Sequence, residues 1–290
     1  MRYLFLILLV ALCAAWPARQ SGAGAPDAEQ RLARLVPAKA RWSLVVLDGE
    51  SGQEIAVLGQ GADLPMVPGS LMKLFVTGAV LSAAEKGESL LPASPSAIRR
   101  QAGRVRTESE RLQRLLREMN VHSNNRLADR FFMRLGKERS GGPATLEKGQ
   151  QAIGEFLVGL GLPPGEVTIA DGSGLSGENR VSARFLARYL HAVSRRPWQQ
   201  RFRETLPRPG LEGTVRDIGY VDRRFRVKSG QLDNAFALAG YGVGPAGRPL
   251  AFAYLVNGPE PLRDLKKSRG AVVRLLAEHD LHRTGAAVGR

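Results

Sequence analysis

Hydrophobic residues follow two different periods in this chain, and the order in which those periods occur limits the fold more than any other feature. Near the start, Trp42, Leu44 and Val46 alternate with Ser43, Val45 and Leu47 ahead of Asp48-Gly49. That is the pattern of a strand entering a hairpin, with its partner from Gln53 to Leu58. Period two returns from Phe225, with Phe225 and Val227 on one face and Arg224, Arg226 and Lys228 on the other, so that Lys228 is expected to point away from the core. It continues through Ala235–Val243 and Leu250–Asn257, joined by the turn Gly244-Pro245-Ala246-Gly247. Between these regions the period is helical, carried by Leu112, Leu115, Leu116 and Met119, then by Leu127, Phe131 and Leu135, then by Ile153, Phe156, Leu157 and Leu160. Strands at both ends with helices between them imply an α/β (α+β) fold in which the two ends pair in one antiparallel sheet and the middle forms a helical lobe.

The other segments fit this plan. A buried helix is expected from Ser70 to about Glu85, and Gly87 to Gly103, rich in Ser, Pro and Arg, reads as a surface connection. Val167 to Ala170 reads as a short strand running into the tight turn Asp171-Gly172-Ser173-Gly174-Leu175-Ser176. Val181 to Val193 reads as a helix capped by Asn179 or by Ser182, and Leu262 to Glu278 as a final helix despite Gly270. No internal repeat is visible.

Arg2, the apolar run from Tyr3 to Leu12 and the small residues through Ala15 read as a secretory signal over residues 1–15, which implies export. Leu12 ahead of Cys13 is bulkier than a lipid-attachment signal normally tolerates, which argues against lipoprotein anchoring. Residues 16–40 follow as a linker and N-terminal segment, with the stretch from Ser21 to Pro26 small and Gly-rich. Cys13 is the only cysteine, so the fold is held by its core and not by internal disulfides. A net charge of +15 on 290 residues would suit nucleic acid, but an exported protein rarely meets it, and no nucleic-acid partner is expected. Only eight of the 42 basic residues are lysine. The charge therefore fits an arginine-rich coding bias as well as it fits peripheral contact with an anionic wall or membrane surface.

The chemistry centres on Pro68-Gly69-Ser70-Leu71-Met72-Lys73. Pro-Gly marks a turn, which places Ser70 at or near the start of the buried helix. Lys73 follows one helical turn later, its ammonium within reach of the Ser70 hydroxyl. Taken alone, the pair reads equally as a capping serine and an ordinary lysine, and His122-Ser123-Asn124-Asn125 as a helix cap. Asp171 and Ser173, and likewise Thr214 and Arg216, read either as turn residues or as the border of a cleft. His122, His191, His279 and His282 match no metal-ligand or triad pattern, and no P-loop, dinucleotide fingerprint or G-x-S-x-G elbow occurs, so neither metal nor cofactor is expected.

Three short motifs nevertheless stand in a fixed order: Ser70-x-x-Lys73, Ser123-x-Asn125 and Lys228-Ser229-Gly230. This order resembles the penicillin-binding proteins and serine β-lactamases. The flanks Asp171-Gly-Ser-Gly-Leu-Ser176, Asn179-Arg180-Val181-Ser182, Leu206-Pro207 with Gly213-Thr214, and Lys228 through Tyr241 narrow the likeness. Over roughly Arg41 to Gly258 the chain resembles the D-alanyl-D-alanine carboxypeptidase/endopeptidase family typified by penicillin-binding protein 4. Only 50 positions separate Lys73 from Ser123, where that family usually carries long inserted domains, and Gln231 stands where it tends to have a hydroxyl residue.

The resemblance implies a transpeptidase-like fold and a single catalytic domain over 41–283, with a sheet lobe from 41–69 and 220–283 and a helical lobe from about 70–219. It implies a periplasmic serine D,D-peptidase acting on peptidoglycan stem peptides, with β-lactam antibiotics as covalent inhibitors. By the same likeness Ser70 is the nucleophile and Lys73 its base. Ser123 and Lys228 relay a proton to the leaving group, Asn125 holds a peptide carbonyl, and Ser229 binds the terminal carboxylate. Gly230 leaves room for substrate along the strand, and the backbone N–H groups of Ser70 and Gln231 form the oxyanion hole. A lysine accepts a proton only when neutral, and burial together with the charge of Lys228 is expected to lower Lys73 from an ordinary pKa of about 10.4. A serine β-lactamase and an inactive wall-binding homologue are the alternatives; the glutamate motif that class A lactamases use for deacylation is not found.

Overall fold

The computed structural model describes residues 25–91, 107–245, 247–259, 261–262, 265–279 and 281. The export signal, positions 92–103 of the expected surface connection, Ala246 and His282 lie outside them.

Five strands form one antiparallel sheet: β1 (Arg41–Asp48), β2 (Glu54–Gly59), β3 (Arg226–Leu232), β4 (Ala235–Val243) and β5 (Pro249–Asn257). Their spatial order is β2-β1-β5-β4-β3, so the first hairpin closes directly onto the last strand and β3 forms an edge. The register pairs Val45 with Ala253 across β1 and β5, and Gly230 with Ala237 across β3 and β4.

Both faces of the sheet are covered, which is why β4 and β5 read as nearly continuous apolar runs and not as apolar–polar alternation. The alternation that exists is one of size. Ala237, Ala239, Ala251 and Ala253 point to one side, while Phe236, Leu238, Phe252 and Tyr254 point to the other. The large side chains, with Trp42, Leu44 and Val46, pack against α1 (Ala25–Ala33) and the final helix α8 (Lys266–Glu278). The small ones let helices approach closely from the opposite side.

On that side α2 (Met72–Glu85) runs through the centre of the larger core, with eleven of its fourteen residues buried. It is surrounded by α3 (Glu108–Val121), α4 (Asn125–Ser140), α5 (Leu146–Gly159), α6 (Ala183–Ser194) and α7 (Gln199–Thr205). A helix apolar on all sides belongs at such a centre. Buried tyrosines join the layers: the Tyr189 hydroxyl donates to the Leu74 carbonyl at 2.7 Å, and the Tyr241 hydroxyl donates to that of Leu190 at 2.8 Å.

Several boundaries differ from the expected ones. The strand at Val167–Ala170 is only an isolated bridge from Thr168 to Arg180, because the Asn179 amide oxygen takes the Ala170 N–H that a ladder would have used. Val181 is likewise a bridge residue, paired with Met66, so α6 starts at Ala183 with Ser182 as its cap, accepting from the Phe185 N–H. The last helix starts at Lys266 rather than Leu262. Lys228 lies on the face opposite Phe225 and Val227, as the period requires, yet it is fully buried. The face that the period marked as outer lies beneath the helices.

Among the described residues no helix is long and apolar enough to cross a membrane.

Candidate active site

Three elements converge where the edge strand β3 meets the start of α2. Residues Gly69–Leu71 form a single 3-10 turn that leads into α2, so Ser70 stands one turn before Lys73 on the same helical face. The turn between α3 and α4 supplies Ser123, whose φ of 55° is the one positive value at a non-glycine position among the described residues. A serine held in the left-handed region costs roughly 1 kcal/mol, and such strain persists only where the surroundings impose it. Here Asn124 caps α4 by accepting the Leu127 N–H, while Asn124 N–H donates back to the Met119 carbonyl. Ser123 is thereby turned out of the cap and toward Ser70.

The hydroxyl of Ser123 donates to Ser70 Oγ at 2.9 Å, and Lys228 Nζ donates to Ser123 Oγ at 3.1 Å. Lys73 Nζ donates to Ser70 Oγ at 2.9 Å, to Asn125 Oδ1 at 2.7 Å and to the Ser173 carbonyl. All three N–H bonds of the ammonium are thus engaged. Of its acceptors only the Ser70 hydroxyl can also donate, so a neutral Lys73 keeps its two fixed bonds and turns its lone pair to Ser70. That is the arrangement of a nucleophile with its base.

Burial lowers Lys73 to about 8, against the opposing pull of the Asp129 and Asp171 carboxylates. The expected contribution of Lys228 is not what lowers it. Complete burial and the charges of Lys73 and Arg269 push Lys228 itself well below the ordinary lysine value. Burial thus favours the neutral form of both lysines.

Ser229 and the exposed Thr214 share a hydrogen bond of 2.8 Å between their hydroxyls, and Lys228 Nζ also donates to the Ser229 carbonyl at 2.9 Å. Arg216 is exposed and makes no contact with this group in the described hydrogen bonds. Gly230 does not leave room for a ligand. A Cβ there would lie 2.1 Å from the Pro68 carbonyl oxygen, so glycine is needed to let β3 approach the turn carrying Ser70. Gln231 is exposed at the open edge of β3.

The loop from Asp171 to Ser176 closes on itself through the Asp171 carboxylate, which accepts from the Gly174 N–H, the Ser176 N–H at 2.7 Å and Asn179 Nδ2 at 3.1 Å. Gly174, at φ 82°, seats it against the start of α2, where a Cβ would collide with the Gly69 carbonyl. Asp171 thus ties the turn, and the carbonyl of the buried Ser173 reaches Lys73.

Asp129 escaped the sequence reading. It lies four residues beyond Asn125, one helical step along the same face of α4, and that spacing was its available signal. Its carboxyl is hydrogen-bonded to Ser173, and burial raises its pKa. Among the described residues no group of three or more His, Cys, Asp or Glu could hold a metal ion.

The model of the D-Ala-D-Ala carboxypeptidase 3 (S13) family matches residues 96–279. The D-alanyl-D-alanine carboxypeptidase DacB of Haemophilus influenzae is 29% identical over 179 residues, which cover 59% of this chain and 36% of that protein. A D-alanyl-D-alanine carboxypeptidase of Actinomadura sp. is 31% identical over 190 residues, 60% of this chain and 33% of that protein. The chain thus spans about a third of the length of these curated relatives. Penicillin binding protein 4 (dacB) of Haemophilus influenzae, solved with a β-lactam, superposes with a TM-score of 0.68 at 15% identity, covering 86% of this chain and 99% of that one. A class A β-lactamase of Bacteroides cellulosilyticus superposes with a TM-score of 0.63 at 17% identity, covering 92% and 99%. At these identities the structural likeness is one of fold. With the family model covering more than half of its length, the chain belongs to the D-Ala-D-Ala carboxypeptidase 3 (S13) family.

Proposed function

We propose that this protein is an exported serine D,D-peptidase that cleaves D-Ala-D-Ala termini and D-Ala cross-links of peptidoglycan through an acyl-enzyme on Ser70, and that β-lactams acylate the same residue. The observation that carries this reading is the position of the Ser70 hydroxyl between Lys73 on one side and the Ser123–Lys228 pair on the other. Export rests on the N-terminal signal.

Ser70 Oγ attacks the carbonyl of the penultimate D-alanine and its proton passes to neutral Lys73. The oxyanion is held by the N–H groups of Ser70 and Gln231, a device typically worth ~2.7 to 4 kcal/mol per donor. The amide nitrogen of Asn125 holds a substrate peptide carbonyl. The terminal carboxylate sits on Ser229 and Thr214, and its charge favours the protonated form of Lys228. Ser123 gives its proton to the leaving amine and is reprotonated by Lys228. Lys73 then gives up its proton to solvent, from which Lys228 regains one; water attacks the ester, its proton passing to the again neutral Lys73 and on to Ser70 Oγ as the C–O bond breaks.

With few positions between the first two motifs, the cleft has fewer walls, and contacts to remote parts of a substrate help the chemical step as well as affinity. Turnover of soluble pentapeptide is therefore slow. An open cleft admits cross-linked strands, and the +15 charge draws anionic wall material at low salt. The test is digestion of purified sacculi followed by separation of the released muropeptides, beside labelling with fluorescent penicillin, each with a Ser70→Ala control. Cross-links should be cut, less so as salt rises. Label on the Ser70→Ala variant would overturn the assignment, rapid loss of label would make the protein a β-lactamase, and absence of label an inactive wall-binding homologue. Rapid pentapeptide trimming with cross-links intact would make it a plain carboxypeptidase.

A further inference from the structure

Behind the site, on the far side of the sheet, α8 places a guanidinium where none is needed for packing. Arg269 is 2% exposed, and among the described residues no carboxylate pairs with it. Its plane covers the Phe236 ring, with Cζ 3.6 Å from the centroid. Its donors go to two backbone carbonyls, Nε to Ala237 at 3.0 Å and Nη2 to Gly230. Burying a charge without a counter-charge is costly, and an apolar side chain of similar volume would fill the same space more cheaply. The position of those two carbonyls gives the charge a use.

Gly230 and Ala237 face each other across β3 and β4, so a group bonded to both holds the Gly230 carbonyl on the β4 side of β3. The peptide from Gly230 to Gln231 is trans, as all described peptides are, so the Gln231 N–H points the opposite way, toward the open edge of the sheet. That edge lies against the turn that carries Ser70. A Cβ added at Gly69 would lie only 2.8 Å from the Gln231 nitrogen. The amide with one end on Arg269 thus has its other end against the turn that carries the nucleophile.

We infer that Arg269 is a positioning residue that polarises the Gly230–Gln231 peptide, making the Gln231 N–H a stronger and more rigidly aimed oxyanion donor. A hydrogen bond from a charged donor is roughly twice as strong as a neutral one, and bonds in a chain strengthen one another. The guanidinium pulls electron density onto the Gly230 oxygen, which leaves the amide N–H more positive. The effect is permanent, is made through the back of the sheet and touches no substrate atom. Its proximity to the site is also felt by Lys228, whose pKa burial lowers first and the charge of Arg269 lowers further.

This inference rests on the Ser70 acyl-enzyme proposed above, and the experiment separates the two. Wild-type protein and the variants Arg269→Met, Arg269→Gln and Arg269→Lys are acylated with a β-lactam carrying a 13C label in its reactive carbonyl, and difference infrared spectra give the stretching frequency of the ester. A strong oxyanion donor lowers that frequency. The Met and Gln variants should shift it to higher wavenumber and slow acylation roughly tenfold, less than the loss of a whole donor, with non-covalent affinity little changed. Lys, which keeps the charge but cannot reproduce the fork, should recover part of both. Thermal melting identifies the variants that fold, and Gln, which retains a neutral donor, serves if Met does not. An unchanged frequency in a folded neutral variant, whatever its stability, would reduce Arg269 to a clamp between α8 and the sheet. If wild-type protein takes no label on Ser70, the reading of the site fails instead.

Discussion

The pH dependence of acylation tests the site most directly, because one group is responsible for it. If Lys73 is the base and its pKa is about 8, the neutral fraction is about 1% at pH 6, about 9% at pH 7 and about 91% at pH 9. The second-order rate of labelling by fluorescent penicillin should therefore rise nearly tenfold per unit at low pH and level off above pH 8, spanning about ninety-fold between pH 6 and pH 9. Asp129 supplies a second perturbation. Its carboxylate favours the charged form of Lys73, so Asp129→Asn, which preserves shape and the contact with Ser173, removes that support. The midpoint should move to lower pH, labelling at pH 6 should become faster than in the wild type, and the plateau should be unchanged. A gain of rate from deleting a charge that acts on the base is an outcome that general damage to the site cannot imitate. A rate flat from pH 6 to 9, or a midpoint indifferent to Asp129→Asn, would show that another group takes the proton.

Three further predictions follow from packing and charge. Ser123→Gly and Ser123→Ala both remove the relay hydroxyl, but only glycine accepts the positive φ without cost, so urea denaturation should find the glycine variant more stable by roughly 1 kcal/mol; equal stability would mean that the turn is not strained. Gly230→Ala drives a Cβ into the Pro68 carbonyl and should destabilise the fold by roughly 1 to 3 kcal/mol while abolishing rapid labelling; a variant with wild-type melting and labelling would show that β3 and the turn need not touch. Lys228, whose pKa is pushed down by burial and by neighbouring cations, should take up protons when a ligand carboxylate enters and favours its charged form, seen by calorimetry in buffers of different ionisation enthalpy. Heats identical in all buffers would contradict it.

Much of this protein is readable from spacing because much of it is local. The helix carrying Lys73, the interval of three between it and Ser70 in the turn before, the strands at the two ends and the helical middle all depend on side-chain periods that a short window contains. So does the position of Ser123 beside a cap, since capping residues act within a turn of their own chain. What such windows cannot contain is which surface is covered. Lys228 reads as outward because the opposite face is apolar, and it is buried because helices from the middle of the chain lie on that second face, which the small residues Ala237, Ala239, Ala251 and Ala253 make close enough to exclude water. The lowering of both lysine pKa values follows from that exclusion, since desolvation is a property of packing and not of residue type. The third acceptor of Lys73 is a carbonyl one hundred residues away, brought in by a loop tied through Asp171 and Asn179. Gly230 gives way to Pro68, and Arg269 reaches the site through the back of the sheet; neither partner lies near its counterpart in the chain, and only the tertiary fold could pair them.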